Sequence, residues 1–167
     1  TIKILKSKHK KNKYFMQNIP IYIINLKRSI ERKENLIKEF EKHKIINYTF
    51  TEAVSGYDLN LEELKSKNII NSTNSLKRGE IGCSLSHYKI YEEILKNDAE
   101  MGLILEDDVF FVKGFNNKLN KTLDKVKNVE WDVFYLGINC YDKSCMEGEY
   151  VGNKIHGIYY PKNISTG

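Results

Sequence analysis

The chain is short of cysteine, of arginine and of long apolar runs, and each shortage excludes something. Cys83, Cys140 and Cys145 are an odd set with no CxxC pair and no Cys/His ligand spacing, so neither a disulfide framework nor a zinc site is indicated, and a reducing compartment is the simpler expectation. No apolar run reaches the roughly eighteen residues of a membrane span. The basic N-terminus lacks the apolar stretch of a signal peptide, so the expectation is a cytoplasmic protein, or a lumenal one if a leader has been removed. Arg28, Arg32 and Arg78 are the three arginines among 27 Lys+Arg. Arginine is the preferred reader of phosphates and guanine edges, so a lysine-rich surface reads first as solubility.

The net charge of +5 has a local origin. Six lysines and His9 stand between Lys3 and Lys13 with no acidic residue, while the body of the chain is close to neutral. A nucleic-acid-binding domain keeps its excess across the fold, and no nucleic-acid partner is expected. With 167 residues, 41% of them hydrophobic, the chain suits a single domain. Residues 1–18 show no sustained period and are predicted to be a basic extension. The domain then covers 19–167, and its end at Ser165-Thr166-Gly167, without a capped element, leads us to expect further C-terminal sequence.

Strand and helix signals alternate. Ile19 to Leu26 is a nearly continuous β-branched and aromatic run, the pattern of a central strand buried on both faces. A helix capped by Ser29 follows to about His43, with Ile30, Leu36, Ile37 and Phe40 at helical spacing. A strand over 47–54 completes a βαβ unit. Ser55-Gly56-Tyr57-Asp58 breaks that strand, and a short helix over 59–67 is expected next. Residues 79–96 give the longest helix, with Ile81, Leu85, Ile90, Ile94 and Leu95 as its stripe. A strand over 101–105, a helix over 115–126 and a strand over 131–136 finish the pattern. The class is α/β, a mostly parallel central sheet flanked by helices.

The chemistry concentrates at strand ends. Glu106-Asp107-Asp108 follows a buried strand, and ligands of open α/β sheets bind at the carboxyl ends of strands. Strand alternation puts Glu106 and Asp108 on one side with Asp107 pointing away. Two hard oxygen donors suit Mg²⁺ or Mn²⁺; alone, the triplet also fits a solvated acidic turn. Gly79 and Gly82 lie in the first turn of the long helix, where close approach of backbone or ligand explains them. No Walker loop or dinucleotide fingerprint is present there. Cys83 and His87 read equally as core residues. Arg28 and Arg32 follow the first strand on one helix side and could reach a diphosphate.

Four segments together resemble glycosyltransferase family 25, the group of lipooligosaccharide and collagen galactosyltransferases. They are IYIINLKRSIERKENL from Ile21, AVSG from Ala53, LKRGEIGCSLSHYKIYEEIL from Leu76 and LILEDDVFF from Leu103. Trp131 to Gly137 is similar to the family's later strand. The resemblance implies a GT-A-type nucleotide-binding fold, a UDP-galactose or UDP-glucose donor, a glycan or hydroxylated protein acceptor and inversion at the anomeric carbon. It implies Asp108 as direct ligand of Mn²⁺ or Mg²⁺, Glu106 assisting through the metal's water or the ribose, and Asp107 orienting the loop. Asn25, Leu26, Arg28, Val54, Ser55 and Gly56 would complete the donor pocket. The acceptor-side base is not identified: the resemblance implies that it and a further metal ligand lie beyond Gly167, and within the chain nothing picks one out among Asp132, Asp142 and Glu147. A donor-binding module without catalysis, a nucleic-acid binder driven by the lysine run and an aspartyl phosphatase are the rival readings.

Overall fold

The first long apolar run becomes strand β2 (Ile21–Asn25), and all five of its residues are buried. That is possible only if both faces and both edges are covered, and they are. In the computed structural model, which describes residues 2–6, 19–73, 75–137, 149–150 and 159–160, β2 pairs in parallel with β3 (Tyr48–Glu52) on one edge and β4 (Met101–Glu106) on the other.

The main sheet has five strands in the order β3-β2-β4-β1-β5. Strand β1 (Ile2–Lys6) lies antiparallel between β4 and β5 (Val133–Gly137). The other four strands share one direction, so the sheet is mostly parallel. The two short strands β6 (Glu149–Tyr150) and β7 (Tyr159–Tyr160) pair antiparallel in a separate ladder.

Period-two alternation sorts the strand side chains onto two faces. Ile21, Ile23, Leu103 and Leu105 join one core cluster with Leu36 and Phe40 of α1 (Ile30–His43) and Leu119 and Leu123 of α4 (Phe115–Val126). Tyr22, Ile24 and Ile104 join a second cluster with Ile90 and Ile94 of α3 (Arg78–Lys96). Helices therefore cover both faces, as the α/β pattern predicts. A short helix α2 (Leu61–Ser66) is capped by Asn60, whose side chain accepts from the Glu63 amide at 3.2 Å.

Two expectations are corrected. Residues 2–6 are not part of an extension: Ile4 is fully buried, and Lys3 and Lys6 are 5% and 8% exposed. Their alternating Ile and Lys read as a polar tail because nothing local reveals the partners that shelter the ammonium groups. Lys3 Nζ donates to Tyr91 Oη at 2.6 Å, and Lys6 Nζ lies 5.3 Å from the Trp131 ring centre. The predicted stripes are also too wide, since Ile30 and Leu95 are each 63% exposed. Helical spacing marks a face without saying how far the neighbouring layer reaches over it. Residues 7–18 lie outside the described part.

Candidate functional site

Because β2, β3 and β4 are parallel, their carboxyl ends fall on one side of the sheet, where Asn25, Glu52 and Glu106 close the three strands. The Ala53 amide donates to the Asn25 carbonyl at 2.9 Å, which holds the β3 exit against the end of β2.

The acidic turn is fixed from the β2 and α1 side. Asn25, itself 7% exposed, donates through Nδ2 to Asp107 Oδ2 at 2.8 Å and to the Ser29 carbonyl at 3.1 Å. Arg32, in the first turn of α1, donates to Asp107 Oδ1 at 3.1 Å and approaches Asp108 Oδ2 to 3.9 Å. The Asp107 side chain is 10% exposed and that of Asp108 is 56% exposed. The hydrogen bond to Asp107 pushes the Arg32 guanidinium, and the charge of Asp107 adds to it, above its already high range. Asp107 is thus the anchored member and Asp108 the presented one.

Glu106 turns the other way. It is the last residue of β4 and shares the parity of Ile104, so it faces α3. Its Oε1 lies 3.7 Å from His87 Nε2, and one donor atom each from Cys83, His87 and Glu106 lie within 4.8 Å of one another. The alternation that put Glu106 and Asp108 on one side stops with the strand: residues 107 and 108 are turn, and both approach Arg32.

The loop after β3 is clamped to α3. Ser86 Oγ accepts from the Val54 amide at 2.8 Å and donates to the Gly82 carbonyl at 2.7 Å. Arg78 donates to the carbonyls of Gly56 at 3.3 Å and Leu59 at 2.8 Å, and Lys89 Nζ donates to the Glu52 carbonyl at 2.9 Å. A Cβ on Gly82 would sit 2.6 Å from the Val54 oxygen and 2.7 Å from the Gly56 nitrogen, and one on Gly56 would overlap the Arg78 carbonyl. Close backbone approach therefore explains Gly82, whereas a Cβ on Gly79 meets nothing within 4 Å.

A cavity of about 470 Å³ opens between the β2 and β3 ends and α1, lined by Asn25, Lys27, Ile30, Lys33, Phe50 and Glu52 among others. Lys33 Nζ stands 4.8 Å from the Phe50 ring centre. The expected donor residues divide. Asn25 lines this cavity; Val54, Ser55 and Gly56 lie on the α3 side of the β3 exit, with Ser55 Oγ buried and without a hydrogen-bond partner. Leu26 is half-buried and Arg28 is exposed; Arg32, not Arg28, meets the acidic turn. Of the residues considered for the base, the Asp132 carbonyl accepts from the Lys6 amide at 2.8 Å, and Asp142 and Glu147 lie outside the described residues.

Sequence reasoning missed Ser86, Lys89 and the anchoring part of Arg32. Ser86 and Lys89 sit three residues apart on α3, but only the fold shows that this stretch meets the β3 exit.

A mostly parallel sheet with an acidic turn and an adjacent cavity at its strand ends defines an α/β protein of the class whose ligands bind at that end of the sheet. The model of glycosyltransferase family 25, described as an LPS biosynthesis protein family, matches residues 18–159, and the chain belongs to that family. It is 36% identical to procollagen galactosyltransferase 2 of Homo sapiens over 127 residues, covering 70% of this chain and 20% of the relative. A glycosyltransferase 25 family member of Aedes aegypti is 30% identical over 142 residues, covering 75% of this chain and 23% of the relative. The inactive glycosyltransferase 25 family member 3 of Homo sapiens is 29% identical over 141 residues, covering 77% and 24%. The chain thus spans about a fifth to a quarter of the length of these relatives.

Proposed function

We propose that this chain carries the donor site of a glycosyltransferase that moves galactose or glucose from a UDP-sugar to a glycan or a hydroxylated protein side chain, with inversion at the anomeric carbon. The observation that carries the reading is the anchored acidic turn beside the strand-end cavity, in a family whose relatives include galactosyltransferases.

The donor set fits a hard divalent cation, Mn²⁺ or Mg²⁺. Asp108 offers carboxylate oxygens at an exposed position, while Asp107 is tied to Asn25 and Arg32 and keeps the turn in place. Asp108 would hold the ion, and a bound ion offsets the charge that grows on the diphosphate leaving group. Glu106 faces α3 and takes no direct part in this binding. Asn25 and Arg32 act as positioning residues, since each bond to Asp107 fixes where Asp108 stands. Phe50 supplies an aromatic face in the cavity, and Lys27 and Lys33 supply positive charge beside it. Val54 to Gly56, pinned by Ser86 and Arg78 on the α3 side, hold the β3 exit rigid next to the cavity without lining it.

The test is release of UDP from UDP-galactose or UDP-glucose by the purified chain with Mn²⁺, with chelator, and after Asp108→Asn. Release that needs both the ion and Asp108 supports the proposal. A second reading, a donor-binding module without catalysis, is favoured by the relative named inactive. It predicts UDP binding with no release. A folded chain that neither binds nor releases UDP contradicts both.

A further inference from the structure

On the α3 side of the sheet, a cluster of mixed donors is left unused by the proposed donor site. Cys83 and His87 are one turn apart on α3 and therefore share a face. Glu106 approaches that face from the end of β4. A sulfur, an imidazole nitrogen and a carboxylate oxygen thus lie within 4.8 Å of one another, drawn from two elements.

We propose that Cys83, His87 and Glu106 form a binding site for a zinc-class divalent cation, separate from the Asp107 and Asp108 turn.

Three observations support it. The His87 to Glu106 separation of 3.7 Å is too long for a hydrogen bond. Nitrogen and oxygen ligands each about 2.0–2.1 Å from a tetrahedral zinc stand roughly 3.3–3.4 Å apart, so a small closure would place both on one ion. His87 is 8% exposed, and its Nδ1, the ring nitrogen other than the one that faces Glu106, is buried without a hydrogen-bond partner. An ion takes one nitrogen of an imidazole, so this Nδ1 is not the ligating atom; it marks a buried ring whose bonding capacity the surrounding protein does not fully use. The donor types also select the ion, because thiolate with imidazole suits zinc, whereas magnesium and manganese prefer oxygen. Three protein ligands leave a fourth position for water or another group.

The charges around the cluster are compatible with an added cation. Cys83 as thiolate and Glu106 as carboxylate bring two negative charges. Lys3 is the neighbouring cation whose charge acts on both, and its Nζ is held by Tyr91 Oη at 2.6 Å. Binding replaces the Cys83 thiol proton by the ion and releases that proton to solvent, so it strengthens as pH rises.

Cobalt(II), a spectroscopic stand-in for zinc, tests the site in the full chain. The expected result is thiolate-to-cobalt charge-transfer absorption that saturates at one ion and is displaced by zinc. Cys83→Ser should abolish it, His87→Gln should weaken cobalt binding at least about tenfold, and Asp108→Asn should leave it unchanged. Absence of the band in the folded chain, or its persistence in Cys83→Ser, would overturn the proposal. A second readout does not depend on the variants folding: zinc should slow alkylation of Cys83, followed by peptide mapping, at least about tenfold, and magnesium should not. An alkylation rate indifferent to zinc would overturn it equally.

Discussion

On the α1 side of the strand ends, Asp107 and Asp108 meet an amide, a guanidinium and solvent. On the α3 side, Glu106 meets an imidazole and a thiol, with Tyr91 and the buried Lys3 behind them. Three successive carboxylates thus enter two chemical environments. The difference comes from the sheet itself: alternation hands Glu106 to α3, and the turn that follows gives Asp107 to β2 and α1. Adjacent acids in one run therefore do not share one role, and each acid's surroundings decide its chemistry.

The strongest way to strain the comparison is to remove the core beneath the α1 side. Phe40 is fully buried against Tyr48 and Phe111, and Phe40→Ala should cost about 3–5 kcal/mol in urea unfolding. A loss below about 1 kcal/mol would show that α1 does not brace the acidic turn through this core.

On the α3 side the sensitive points are backbone contacts. Gly82→Ala should cost about 1–3 kcal/mol by overpacking against Val54 and Gly56. Gly79→Ala, with open space around its Cβ, should be neutral or stabilising by up to about 1 kcal/mol. Equal losses at the two glycines would refute the clamp.

Within the turn, Asp107→Ala should destabilise by about 1–3 kcal/mol through its charge-assisted hydrogen bonds. Asp108→Ala should stay within about 0.5 kcal/mol, as for other exposed positions. Thermal unfolding of the two variants side by side reads the distinction between the anchored and the presented carboxylate. The reverse order would exchange their parts.

The smallest effect concerns Cys83. Burial, with Glu106 adding to it, pushes its thiol above the ordinary cysteine range, so the ion-free folded chain should be alkylated there more slowly than an unfolded control near pH 8. The folded form keeps its proton longer than the unfolded form. This contribution to stability is therefore complete below the unfolded pKa and is lost as pH rises through the folded one. Alkylation mapped at Cys83 across pH checks the sign, and a midpoint below that of the unfolded chain would contradict it.

Much of this was readable in advance, for local reasons. IPIYIINL announces a doubly buried strand because its apolar side chains leave no face for water, and helix α4 begins at Phe115 and ends at Val126 as its pattern predicts. The acidic turn at the end of β4 was legible too. What escaped depends on distant pairing. Ile2 to Lys6 look polar until β4 and β5 supply neighbours, and Ser86 looks ordinary until the Val54 amide arrives. The split of Glu106 from Asp108 was hidden because alternation holds only while the strand lasts.

Calorimetric titration of UDP into the purified chain, with Mn²⁺, with chelator and with Asp108→Asn, tests most directly whether the strand-end turn is a nucleotide-sugar site. The account predicts binding that needs both the ion and Asp108, and that survives His87→Gln. Equal binding in the first three titrations, or none in a chain shown to be folded, would contradict it.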